Sequence, residues 1–161
     1  QMATVKNIDP LPLVRRKWAE LSSTEAGREE FSRLVGKLAP YKAPLCATIT
    51  ELGRGYAEGT MPDRPEVRNH IGSIDAIALA NFAELVGNLA LVFSMQDGMR
   101  FIIRETIAEY HKKARGMITA HASLTIPFDG EEALPTVNVC LYDNANKLVA
   151  EMNFTSKVGP N

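Results

Sequence analysis

The segment from Ile74 to Phe93 constrains this chain more than any other. It holds no proline and almost no charge, and its alanines and leucines favour helix. Ile74, Ile77, Leu79, Phe82, Leu85, Val86, Leu89, Val92 and Phe93 place apolar side chains on nearly every side of such a helix. A helix that is apolar all round must be buried all round. About 20 residues give a rod about 30 Å long. Asp75, Asn81, Glu84 and Asn88 interrupt it too often for a membrane span. Asn81, Glu84 and Asn88 recur at i, i+3 and i+7, so they form one polar stripe.

The flanks supply what can cover the rod. Leu11, Val14, Trp18 and Leu21 recur at helical spacing, with Pro12 in the first turn, where it is tolerated. Ser22 to Glu25 reads as a capping box that starts a second helix, with Phe31, Leu34, Val35 and Leu38 on its inner face. Pro40 and Pro44 end it. Residues 45–61 read as strand, glycine turn and strand. After Gly98 the period becomes two: Phe101 to His111 is a long strand, and Ile118, Ala120, Ala122, Leu124 and Ile126 share one face of the next. Val137, Val139 and Leu141, then Leu148, Ala150, Met152 and Phe154, line two more strands. Short turns between them predict an antiparallel meander.

This is an α+β pattern: one long central helix wrapped by a five- or six-stranded antiparallel sheet, with N-terminal helices. Residues 1–43 read as a helical extension of the domain formed by residues 44–161. A sheet curled around one helix leaves part of that helix bare, and the simplest cover is a second copy of the chain, as a homodimer or a dimer of dimers.

Composition narrows the function. The 161 residues carry a formal charge of −1, with no basic excess to hold a nucleic-acid backbone. Cys46 and Cys140 are the two cysteines, too few for a disulfide scaffold or a zinc site, and they read as small buried hydrophobes. The N-terminus lacks a charged-then-apolar signal pattern, which predicts a cytoplasmic protein. No metal or redox cofactor is expected, so function rests on a local site.

Arg68-Asn69-His70-Ile71-Gly72-Ser73-Ile74-Asp75-Ala76-Ile77-Ala78-Leu79-Ala80-Asn81-Phe82-Ala83-Glu84 resembles the signature of the hot-dog-fold thioesterases. It is most similar to their thioesterase-like DUF4442 branch, with Asn-His-x-Gly before the helix and Ala-Glu within it. Residues 110–120 resemble the family's strand-turn-strand segment, and the likeness spans roughly residues 44–157. The resemblance implies a hot-dog fold and hydrolysis of an acyl thioester such as an acyl-CoA, with coenzyme A present only as part of the substrate. It gives Glu84 the role of base or nucleophile, acting across a dimer interface, and Asn69 that of positioning water or the carbonyl. Gly72, Asp75, Ala76 and Ile77 become the helix start that forms the oxyanion site. There the chain departs from the phenylacetyl-CoA-type pattern: Asp75 stands for a histidine, and Ala76 and Ile77 for two glycines. Ile102 and Ile103 fall where some members supply a hydroxyl.

Each of these residues has a plainer reading. Glu84 is either a cleft carboxylate that activates water or a structural acid bonded to its Asn neighbours. Asn69 is also a common turn residue before glycine, and His70 beside it reads more readily as packing than as catalysis. An Asp75 that caps the helix would occupy donors that an oxyanion needs and would repel its charge. Lys112, Lys113 and Arg115, with Arg64 and Arg68 as a weaker pair, are either a clamp on coenzyme A phosphates or a solvated rim. Met95, Met99, Met117 and Met152 read as core or channel wall. The alternative to a hydrolase is a non-catalytic dimeric hot-dog protein that binds an acyl chain or other apolar small molecule.

Overall fold

The computed structural model describes residues 9–125 and 128–160. Ile126, expected on the inner face of its strand, lies outside them, as do residues 1–8 and Asn161 of the two expected segments. Helices α1 (Leu11–Leu21) and α2 (Glu25–Leu38) lead into a 3-10 turn, Pro40–Leu45. The hairpin β1 (Thr48–Gly53) and β2 (Tyr56–Met61) follows, then a short 3-10 turn, Pro65–Val67, and helix α3 (Ala76–Val92). Strands β3 (Met99–Tyr110), β4 (Ile118–Leu124), β5 (Thr136–Tyr142) and β6 (Leu148–Pro160) complete one antiparallel sheet in the order β1-β2-β4-β5-β6-β3.

That order corrects the meander. Strands β4, β5 and β6 do follow one another, but β3 crosses to the far edge beside β6, and β2 pairs with β4. The helix between β2 and β3 carries the chain across the sheet, so neighbours in sequence are not neighbours in the ladder. A second correction concerns α2. Its cap is Thr24, whose Oγ1 accepts from Gly27 N at 3.0 Å, so no box from Ser22 to Glu25 forms.

Helix α3 lies over β2, β4 and β5. Phe82, Val86 and Ala90 of α3 and Met61, Ile118, Leu141 and Met152 of the sheet are fully buried. Gly87 sets the closest approach: a Cβ there would sit 3.1 Å from Val139 Cγ2 and 3.5 Å from Val137 Cγ1. Leu79, Ala83, Leu85, Leu89, Leu91 and Val92 are buried too, as the apolar pattern requires. The N-terminal helices share this core through Val14, Phe31 and Val35. Arg15 of α1 also donates to Val92 O at 2.9 Å and Met95 O at 3.0 Å, placing a cation on the C-terminal carbonyls of α3.

Strand β3 is covered least. Beyond its bulge between Ile103 and Glu105, every residue to Tyr110 is exposed. By register with Ala150, Met152 and Phe154, the side chains of Tyr110, Ala108 and Thr106 face the helix side of the sheet, yet all three stay exposed, Tyr110 reaching α3 only through its hydroxyl. Ile102 and Ile107, 64% and 53% exposed, stand on the other face.

Candidate functional site

The loop before α3 is closed by its own polar groups. Asn69 Oδ1 accepts from Ile71 N and Ser73 N, both at 3.1 Å, and Asn69 Nδ2 donates to the buried Ser73 Oγ at 2.9 Å. Gly72, at φ +73°, takes the left-handed turn position and donates from its N–H to Asn69 O at 3.2 Å. The amide of Asn69 therefore builds the turn that delivers the helix, and its Oδ1 is engaged inside the loop. His70 is exposed beside it.

Asp75 is the helix cap. Its Oδ1 accepts from Ile77 N at 2.8 Å, and its carbonyl accepts from Leu79 N at 3.0 Å. Of the first four N–H groups of α3, those of Ala76 and Ala78 have no acceptor among the described residues. The Tyr110 hydroxyl donates to Ala76 O at 3.0 Å and steadies this first turn. Burial, and then the Asp75 charge, push the Tyr110 phenol above its ordinary pKa.

The stripe is real and has a partner that spacing alone did not reveal. Asn81, Glu84 and Asn88 are half-buried on the flank of α3, with the 64%-exposed Ile77 continuing the line toward the helix start. Lys42, from the Pro40–Leu45 turn, donates from Nζ to Asn81 Oδ1 at 2.7 Å and to Glu84 Oε1 at 3.0 Å. The Lys42 side chain is 10% exposed and that of Glu84 38%. Glu84 Oε2 has no partner among the described residues. A cleft of about 540 Å³ opens beside this flank, lined by Asp75, Ile77, Ala78 and Asn81 of α3 and by Tyr41 and Pro44 of the turn. A proline-bounded, six-residue 3-10 turn carries no periodic signal, so the sequence alone does not mark Lys42.

The basic residues are not gathered into one clamp. Lys112 bonds Asp143 Oδ2 at 2.5 Å. Arg68 Nε bonds Asp63 Oδ1 at 2.7 Å, and Arg64 donates to Pro44 O at 2.8 Å. The Arg68 hydrogen bond, and then the bond from Gly116 N, hold the Asp63 carboxyl below its ordinary pKa; Arg115 adds a weaker pull in the same direction. Lys113 is exposed on the rim. The cysteines are also not the buried hydrophobes expected. Cys46 is exposed, left-handed at φ +50°, and accepts from Arg64; Cys140 is half-buried on the outer face of the sheet. Met95 and Met152 do belong to the core, while Met117 is 43% exposed. Among the described residues no cluster of His, Cys, Asp or Glu is disposed to hold a metal ion, and no helix is long and apolar enough to cross a membrane.

One long helix on a six-stranded antiparallel sheet, with a carboxylate on its flank and a capped start beside a cleft, defines a thioesterase-like hot-dog protein. The comparisons agree. Residues 27–158 match the family described as "Domain of unknown function (DUF4442)", and the chain belongs to that family. The structural-genomics protein APC5556 is 33% identical, with a TM-score of 0.78 over 92% of this chain and 99% of its own. A probable thioesterase from Pseudomonas aeruginosa (22% identity, TM-score 0.72, 89% of this chain and 96% of its own) shares the fold. So does a thioesterase from Haemophilus influenzae (19% identity, TM-score 0.70, 78% of this chain and 88% of its own). No curated protein matches the chain.

Proposed function

We propose that the chain hydrolyses an acyl thioester, such as an acyl-CoA, as a homodimer. The observation that carries this reading is Glu84: a half-exposed carboxylate on an otherwise buried helix, held by Lys42 through one oxygen while the other stays without a protein partner. That free oxygen takes a proton from water, the resulting hydroxide adds to the thioester carbonyl, and collapse breaks the C–S bond. The thiolate leaves and takes up the proton held by Glu84, giving a carboxylic acid, a free thiol and the regenerated carboxylate. The unpaired N–H groups of Ala76 and Ala78 supply what the oxyanion needs, and an alanine N–H donates as well as that of glycine.

The two halves of this machinery do not meet within one chain. Ala76 and Glu84 are eight residues apart, about 12 Å along the helix axis at 1.5 Å per residue. A base on one helix therefore serves the helix start of its partner. The uncovered strand β3 supports the same assembly, since a 12-residue edge bearing Ile102, Ile107 and Tyr110 calls for pairing. The test is an acyl-CoA panel on the wild type and Glu84→Gln. A fall of about 10²-fold or more in kcat is expected for the variant, and equal rates would remove Glu84 from the mechanism.

A second reading has its own support. Asp75 caps the helix and one oxygen of Glu84 is bonded by Lys42, which goes part of the way to the capped helix and fully paired acid expected of a dimeric hot-dog protein that binds an apolar ligand without turning it over. Apolar ligand binding with no hydrolysis across the panel would favour it.

A further inference from the structure

A cleft of about 610 Å³ lies between α2, the Pro40–Leu45 turn and the start of β1, apart from the helix start. Its volume falls within the range of about 300–1,000 Å³ typical of small-molecule sites. Gly36, Ala43, Ala47 and Leu85 provide small apolar walls. Of the polar groups among these walls, those of Ser32, Lys42 and Cys46 are already engaged, while Thr48 adds one hydroxyl to the lining. The Ser32 hydroxyl donates to Arg28 O at 2.7 Å and accepts from Ile49 N at 2.8 Å, the Lys42 ammonium is held by Asn81 and Glu84, and the Cys46 thiol accepts from Arg64. Such walls suit unsubstituted hydrocarbon.

Gly36 shows that this space is not a by-product of close packing. A Cβ there would sit 3.6 Å from Ala43 Cα and Cβ, an ordinary contact, so no neighbour demands glycine. Gly36 lies in the last turn of α2, where glycine is still a weaker helix former than alanine. What its missing side chain provides is an open wall. At the mouth stand Arg33 and Lys37, both exposed and without a partner among the described residues; Glu29 is the acid of this lining, and Glu30 lines a neighbouring hollow with the same two cations. Their spacing, i and i+4, puts both cations on one face of α2.

We infer that this cleft binds a straight-chain carboxylate, its hydrocarbon tail along Gly36, Ala43, Ala47 and Leu85 and its anionic head at Arg33 and Lys37. The inference does not depend on hydrolysis at Glu84. The same tail chemistry has two sources, a free fatty acid or the acyl chain of a thioester.

Titration calorimetry of the intact protein with hexanoate, octanoate and decanoate tests it. Saturable binding at one site per chain is expected, tightening about fourfold per added methylene, the ratio equivalent to about 0.8 kcal/mol per buried CH₂. Gly36→Leu, which fills the cleft, should weaken decanoate at least tenfold, and Ala47→Leu repeats the test from another wall should the first variant fold poorly. The double variant Arg33→Gln/Lys37→Gln should erase the preference for octanoate over octanol. Absence of saturable binding, unchanged affinity in folded filled-cleft variants, or equal wild-type affinity for octanol and octanoate would overturn the proposal. Competition between decanoate and decanoyl-CoA on the Glu84→Gln protein separates the sources: displacement assigns the cleft to the thioester's chain as well, and simultaneous binding assigns it to the free acid.

Discussion

Lys42 Nζ lies 3.0 Å from Glu84 Oε1, joining a 3-10 turn to the flank of a helix 42 residues further along the chain. The pair is asymmetric in its surroundings, because the lysine side chain is nearly buried while the acid reaches solvent. Loss of the acid therefore costs more at the lysine, whose ammonium keeps only the oxygens of Asn81. Glu84→Gln keeps an acceptor for it and Glu84→Ala does not. Glu84→Ala is expected to be less stable than Glu84→Gln by about 1–2 kcal/mol, the cost of an unmet partly buried donor, as urea unfolding would measure. Equal stabilities would mean that Lys42 draws its support from Asn81 alone.

Asp75 sets stability against chemistry. Its carboxylate accepts from Ile77 N at 2.8 Å, which caps the helix and also puts a negative charge where a carbonyl oxygen would gain one. Asp75→Ala should cost about 1 kcal/mol of stability. If the helix start serves the reaction, the same change frees the Ile77 N–H and removes the repulsion, and acyl-CoA hydrolysis should rise about tenfold or more. Thermal melts and initial rates on one preparation measure both. Lost stability with unchanged turnover would take the helix start out of the mechanism.

A side chain's burial follows from its spacing along one element, whereas the meeting of distant segments does not. The apolar residues from Ile74 to Phe93 predict a buried helix, and the helix runs Ala76–Val92 with its Asn81–Glu84–Asn88 stripe as the open flank. Period two marks the four strands after Gly98, and the glycine-punctuated segment 45–61 marks the hairpin, but neither gives the strand order, because alternation reports which face is buried and says nothing of which strand lies alongside. The loop from Asn69 to Ser73 was legible as a turn, and its hydrogen bonds follow that reading. Ser22, Ser23 and Thr24 are all competent caps, so the sequence alone does not fix which of them starts α2; in the structure it is Thr24. Lys42 was invisible because a lone lysine between two prolines looks like solvent-exposed loop.

Strand β3 offers a test of assembly that leaves the core alone. Ile102 and Ile107 are more than half exposed and lie on the outer face of the edge strand β3, so lysine at either position meets water in an isolated chain. In a dimer paired along β3 it would meet the partner. The double variant Ile102→Lys/Ile107→Lys should run as a monomer in light scattering, keep its far-ultraviolet circular dichroism, and lose thioester hydrolysis, since Glu84 would have no partner helix start to serve. A variant that stays dimeric would place the interface elsewhere.

Asp63 ties the loop before α3 to the turn before β4, and the tie is strongest when its carboxyl is ionised. Its Oδ1 accepts from Arg68 Nε at 2.7 Å and its Oδ2 from Gly116 N at 2.9 Å, and both bonds lower its pKa in the folded protein. A carboxyl depressed by folding binds fewer protons folded than unfolded, so its contribution is complete above the unfolded value of about 4 and is lost as pH falls through the folded value. Asp63→Asn should therefore be less stable than wild type at pH 7, by about 1–2 kcal/mol for the two charge-assisted bonds. The gap should narrow below about pH 4 as the wild-type carboxyl takes up its proton. Urea unfolding at pH 7 and pH 3 measures both limits. A gap that stays constant with pH would mean that the shape of the side chain, and not its charge, holds the two loops together.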